Sequence, residues 1–75
     1  MMSKVHLLYE TTDGLDYLID VFASLKGAQD VAQDHCNELV NAHPLLWAVN
    51  DQEAEARYDN DDAIRWHIQI KDLKP

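Results

Sequence analysis

Cysteine is nearly missing from this chain. Cys36 is the only one, so no disulfide closes within it and a reducing compartment is the expected setting. Glycine and proline are scarce too, with two of each. Gly14 and Gly27 stand too far apart to build a phosphate-cradling loop, and no serine sits in a strand-turn-helix elbow. Apolar runs are short, and none approaches the ~18 residues of a membrane-spanning helix. No basic stretch precedes an apolar one at the start, so no signal peptide is expected and a cytoplasmic location is. Basic residues are also few: six Lys and Arg stand against fourteen Asp and Glu, a net charge of −8. A surface of that sign repels nucleic acid and anionic membranes and approaches basic surfaces faster.

What is present fits one small domain spanning residues 1–75. The chain is 47% hydrophobic, too apolar for a disordered acidic tail. At this length it is expected to bury only about 60–65% of its unfolded surface, which leaves a thin core.

The hydrophobic pattern changes period once. "KVHLLYE" (residues 4–10) alternates as a strand, with Val5, Leu7 and Tyr9 on one side and His6, Leu8 and Glu10 on the other. "TTDG" supplies a turn, and "LDYLIDVFA" (residues 15–23) resumes the alternation, so the two runs read as a hairpin. Ser24 is placed to cap a helix. From there Leu25, Ala28, Val31, Ala32, His35, Cys36, Leu39 and Val40 recur at three- and four-residue steps, until Pro44 enforces a stop near Asn41. "LLWAVN" (residues 45–50) reads as a third strand. "AEARY" (residues 54–58) reads as a short edge strand, although the capping-box spacing of "NDQE" leaves a helix open there. "AIRWHIQIKDL" is the clearest strand, with Ile64, Trp66, Ile68 and Ile70 facing one way. The order β-β-α-β-(β)-β predicts an α+β fold: a small antiparallel sheet of four to five strands with one amphipathic helix on one face.

Chemistry-bearing patterns are sparse. Asp59 and Asp61 begin like a calcium loop, but Ala63, Ile64 and Ile70 stand where a ligand, the glycine and the closing glutamate belong. The carboxylates of "DNDD" suit a hairpin turn instead. The four histidines and Cys36 have no spacing that builds a tetrahedral metal site. Cys36 sits mid-stripe on the helix, where a thiol is buried and inert. No catalytic residues, metal or cofactor are expected, and the chain does not read as an enzyme.

The second face of the sheet is the more informative feature. With Val5, Leu7, Tyr9, Tyr17, Ile19, Val21, Trp66, Ile68 and Ile70 beneath the helix, His6, Leu8, Leu18 and Phe22 are left on an open face beside Asp20, Arg65, His67 and Gln69. Such a half-apolar face is expected to meet another protein or a second copy, unless the loop carrying Trp47 folds over it. The expected partner-binding residues are Leu8, Leu18 and Phe22 on the face and Asp51, Glu53, Glu55, Asp59, Asp61 and Asp62 on an acidic hairpin. Trp47 or Tyr58 would serve as an aromatic anchor.

The fragments "KVHLLYE", "DYLIDVFASLKGAQDVAQDH" and "IRWHIQIKDL" together resemble a group of small β-β-α-β-β proteins common in bacteriophage and bacterial genomes. In that group a hairpin runs into a helix start of the type seen here in Phe22, Ala23, Ser24 and Ala28. The resemblance covers roughly the first 35 residues and the last dozen, and residues 41–62 depart from the short connection usual in the group. It implies a phage or mobile-element gene expressed in bacterial cytoplasm and carries over no binding residues. The expected function is that of a small acidic, non-enzymatic binding protein that engages and modulates a host protein with a basic surface. A self-assembling, homodimeric structural protein is the alternative. A DNA mimic acting on a nucleic-acid-binding protein is a lesser one.

Overall fold

The computed structural model describes residues 3–39, 45–58 and 62–73. It contains β1 (Ser3–Thr12), β2 (Leu15–Phe22), α1 (Leu25–Leu39), β3 (Glu53–Tyr58) and β4 (Asp62–Leu73). The four strands form one antiparallel sheet in the order β2-β1-β4-β3. This is the expected α+β architecture, and residues 53–58 are strand rather than helix.

Local chemistry accounts for the boundaries. Asp13 and Gly14 both take positive φ (52° and 78°), the backbone of a tight two-residue hairpin turn. The Ser24 hydroxyl accepts from the Gly27 amide at 3.0 Å, capping α1 as expected. The expected helix stop at residues 40–44 lies outside the described residues.

The sheet order dictates what the helix must do. β2 is one edge and β3 the other, so the chain has to cross the sheet between them, and α1 is that crossing. Ala28, Ala32 and Cys36 are fully buried against Leu8, Ile64, Trp66 and Ile68. The small side chains on the helix let it approach closely over the bulky Trp66. Ala54 and Ala56 on β3 lie opposite Trp66 and Ile64 and leave room for them.

The faces of the hairpin differ from the sequence expectation. Leu8 pairs directly with Ile68, and Glu10 with Trp66. Opposed residues share a face, so His6, Leu8 and Glu10 lie under the helix, while Val5, Leu7 and Tyr9 face away from it. Leu8 is fully buried and belongs to no open surface. A bulge between Leu8 and Tyr9 leaves Ile19 as the extra residue of β2. The bulge breaks the period of two, so Ile19 and Phe22 both reach the core although three positions separate them. Phe22 is therefore half-buried core and does not lie on the open face. Leu18 and Val21, opposed to Tyr9 and Leu7, remain on the open face.

The expected third strand at residues 45–50 does not form. Ala48 makes a single bridge to Glu53, and the chain then turns. Leu45 and Trp47 still point inward and pack on the core. Trp47 is thus a half-buried core residue on the helix side, neither an exposed anchor nor a cover for the open face. Val49, Asn50 and Asp51 follow with φ of 52°, 59° and 62°, three successive left-handed residues that no strand accommodates.

Candidate functional site: the open sheet face and its acidic edge

Each row of the open face can be read from the strand register. Thr11 lies between Asp16 and Arg65, Tyr9 between Leu18 and His67, Leu7 between Val21 and Gln69. The β1–β2 half is apolar, with Leu18 and Val21 about half exposed at 53% and 46%. The β4–β3 half is charged. Arg65 Nε lies 3.6 Å from Glu55 and His67 Nδ1 lies 3.4 Å from Glu53, across facing positions of the two strands. The Tyr9 and His67 rings lie 6.4 Å apart between centroids, joining the two halves. Thr11 donates its hydroxyl to the Asp16 carboxylate. Tyr9, Thr11, Arg65, His67, Glu53 and Glu55 are among the residues that line a shallow concavity of about 830 Å³, together with Leu46 and Ala48.

The acidic edge is set by β3 and the turn before it. Glu53 and Glu55 are exposed on the open face, and Asp51 is exposed on the left-handed turn. Two helix side chains hold that turn. Gln29 Nε2 donates to the Asp51 carbonyl at 2.7 Å, and the Leu45 amide donates to Gln33 Oε1 at 2.7 Å. The Ala48 and Gln52 carbonyls accept from Glu53 and Ile68 amides at 3.0 and 2.8 Å, closing the turn onto the sheet. On this pinned scaffold Leu46 and Val49 stand out in solvent, 86% and 62% exposed. A left-handed valine is sterically costly, because its branched Cβ crowds the following carbonyl.

The opposite edge is blunted at one point. The Val21 amide donates to the Asp20 carboxylate of its own strand at 2.7 Å, so that donor is not offered to another chain. The bulge at Ile19 adds twist at the same place.

The remaining polar groups are structural in their setting. The mostly buried Glu10 carboxylate accepts from the Trp66 indole at 3.1 Å and lies 3.4 Å from His35 Nδ1. It ties helix to sheet by charge-assisted contacts. Cys36 is fully buried, as its place in the helical stripe implies. Among the described residues no group of three or more His, Cys, Asp or Glu side chains converges to hold a metal ion. No described helix is long and apolar enough to cross a membrane.

Of the residues expected from sequence, Leu18, Asp51, Glu53 and Glu55 are exposed and lie around the open face and its edge. Leu8, Phe22 and Trp47 belong to the helix side instead. Tyr58 opposes Asp62 at the end of the β3–β4 ladder, and their side chains, like all of Asp59 and Asp61, lie outside the described residues. Val21, Leu46, Val49 and Asp16 were missed, and Arg65 was placed on this face only as a neighbour of the apolar residues. The signal for Val21 was its spacing of three from Leu18, visible only once a bulge is assumed. Compared with family models, curated proteins and solved structures, the chain matches none.

Proposed function

We propose that this is a small acidic binding protein that works by contact rather than catalysis, docking its β3 edge on a basic surface of a host protein. The observation that carries this reading is the pairing of exposed aliphatics with carboxylates on a pinned turn. Leu46 and Val49 project beside Asp51, Glu53 and Glu55. A solitary exposed leucine needs no explanation. A leucine and a valine together beside a carboxylate row, on a turn that retains backbone strain, form the kind of surface that contact with a partner makes useful.

The electrostatics suit such contact. Glu53 and Glu55 face His67 and Arg65 at 3.4 and 3.6 Å with substantial exposure on both sides. Surface pairs of that kind are held by at most about 1 kcal/mol, so a partner's lysine or arginine displaces them at little cost. The net charge of −8 speeds approach to a positive patch, and the aliphatics prolong the contact once made. The resemblance of the hairpin-helix segment and the last strand to small phage and bacterial proteins supports a phage gene as the source and a host protein as the target.

The test is affinity capture from bacterial lysate with the tagged chain beside a Leu46→Ser/Glu53→Gln/Glu55→Gln variant of unchanged circular dichroism. A stoichiometric protein retained by the parent and lost from the variant, and lost again at high salt, is the expected result. Equal retention by both, or none by either, overturns the reading.

A further inference from the structure

We propose that the β2-β1-β4 part of the open face is the seat of a second copy of this chain, packed face to face about a two-fold axis running along β1. This goes beyond the reading above and uses the sheet face rather than the β3 edge, with Arg65 turning toward the other copy from Glu55, 3.6 Å away. The argument rests on the order of the strands and on their register. A two-fold axis parallel to the strands, placed over β1, lays β2 of each copy across β4 of the other and keeps every row at its own level. β1 then meets β1, stacking Leu7 and Tyr9 on their counterparts, while Leu18 comes over His67 of the other copy and Val21 over Gln69. In the row of Thr11, Asp16 lies on one side of β1 and Arg65 on the other. The rotation therefore sets Asp16 of one copy over Arg65 of its partner, and does so twice.

Self-complementarity of that kind is what an isologous interface requires. With sheets stacked ~10 Å apart, an arginine and an aspartate on facing strands are within reach of one another. The acidic column falls in the right place as well. Glu53 and Glu55 sit on β3, one strand beyond β4, so they project past the partner's β2 edge instead of meeting like charges. The docking edge proposed above stays free in the dimer.

The area is small. With β3 outside the overlap, three strands ~4.8 Å apart and about 30 Å long present roughly 430 Å² per copy, so pairing removes about 860 Å² in total, the size of a weak and transient contact. A dimer with a dissociation constant of roughly 100 μM is the expected strength.

The test needs only the purified protein and its mass in solution by sedimentation. The parent is expected to move from the 8.6 kDa monomer toward twice that mass between about 10 μM and 1 mM. Asp16→Lys places lysine over arginine at both crossing points, and Arg65→Glu places glutamate over aspartate. Each variant alone is expected to raise the dimer dissociation constant at least about tenfold. Mixed in equal amounts they are expected to form a heterodimer of near-parental affinity, because both crossings are then opposite in sign. Recovery on mixing also shows that both variants fold. Leu18→Lys, a change at a half-exposed site, should abolish association while leaving the urea midpoint nearly unchanged. A parent that stays monomeric throughout overturns the proposal. So do single variants that dimerise like the parent, or a mixture that fails to recover. None of these outcomes bears on capture of a host protein by the β3 edge.

Discussion

Val49 is a β-branched residue held at φ 52°, 62% exposed, between Ala48 and two further left-handed positions. A left-handed backbone costs most side chains roughly 1–2 kcal/mol and asparagine markedly less. Little burial is lost on replacing an exposed side chain, so Val49→Asn should raise the stability by about 1 kcal/mol, read as a higher urea midpoint at unchanged slope. If Val49 belongs to the docking edge, the same variant should bind its partner less well, which separates fold from contact. Glu10 is the opposite case. Its carboxylate takes the indole hydrogen of the fully buried Trp66. Glu10→Ala leaves that hydrogen unpaired in the core and should cost about 2 kcal/mol, within the range for an orphaned buried donor. His6 carries a related burden, since its buried Nδ1 meets no hydrogen-bond partner among the described residues. Phenylalanine there keeps the ring and removes the unpaired nitrogen, and His6→Phe should match or exceed the parent in thermal melting.

At the scale of elements, α1 carries its charges against its own dipole. Lys26 sits in the first turn, no basic residue occupies the last, and Asp30, Asp34 and Glu38 follow at four-residue steps. Like charges four apart repel, and carboxylates near a helix C-terminus oppose its partial negative charge. Glu38→Lys should therefore stabilise the protein by about 0.5 kcal/mol, less at high salt. The helix was legible from sequence because its stripe, Ser24 cap and Pro44 all agree. The last strand was legible because its two faces differ so sharply, with isoleucines and Trp66 on one and Arg65, His67 and Gln69 on the other. β1 was not, since both its faces carry leucine. Which one met the helix depended on register with β4, a long-range fact, and the buried Glu10 was tolerated only because Trp66 supplies its partner. β2 misled for a different reason, because a period of two assumes no inserted residue and Ile19 is one. The segment "LLWAVN" kept the alternation of a strand, with Leu45 and Trp47 inward, yet the left-handed turn ended it after one bridge.

For the whole molecule, the decisive quantity is the thinness of the core. One helix of 15 residues, about 22 Å long, lies on a body whose longest extent is 46 Å. The hairpin end reaches past it, leaving Leu15 and Tyr17 half exposed. Everything buried is then one cooperative unit, and Cys36 lies at its centre. Labelling of Cys36 by a thiol reagent should be slow in the native protein, with an opening free energy that follows urea denaturation. Fast labelling without denaturant would show that α1 detaches on its own. The Asp20 carboxylate gripping the amide beside it has a wider consequence. It acts as a stopper. A flank plugged at one rung recruits further strands less readily, and Asp20→Ala is the change most apt to set copies pairing edge to edge.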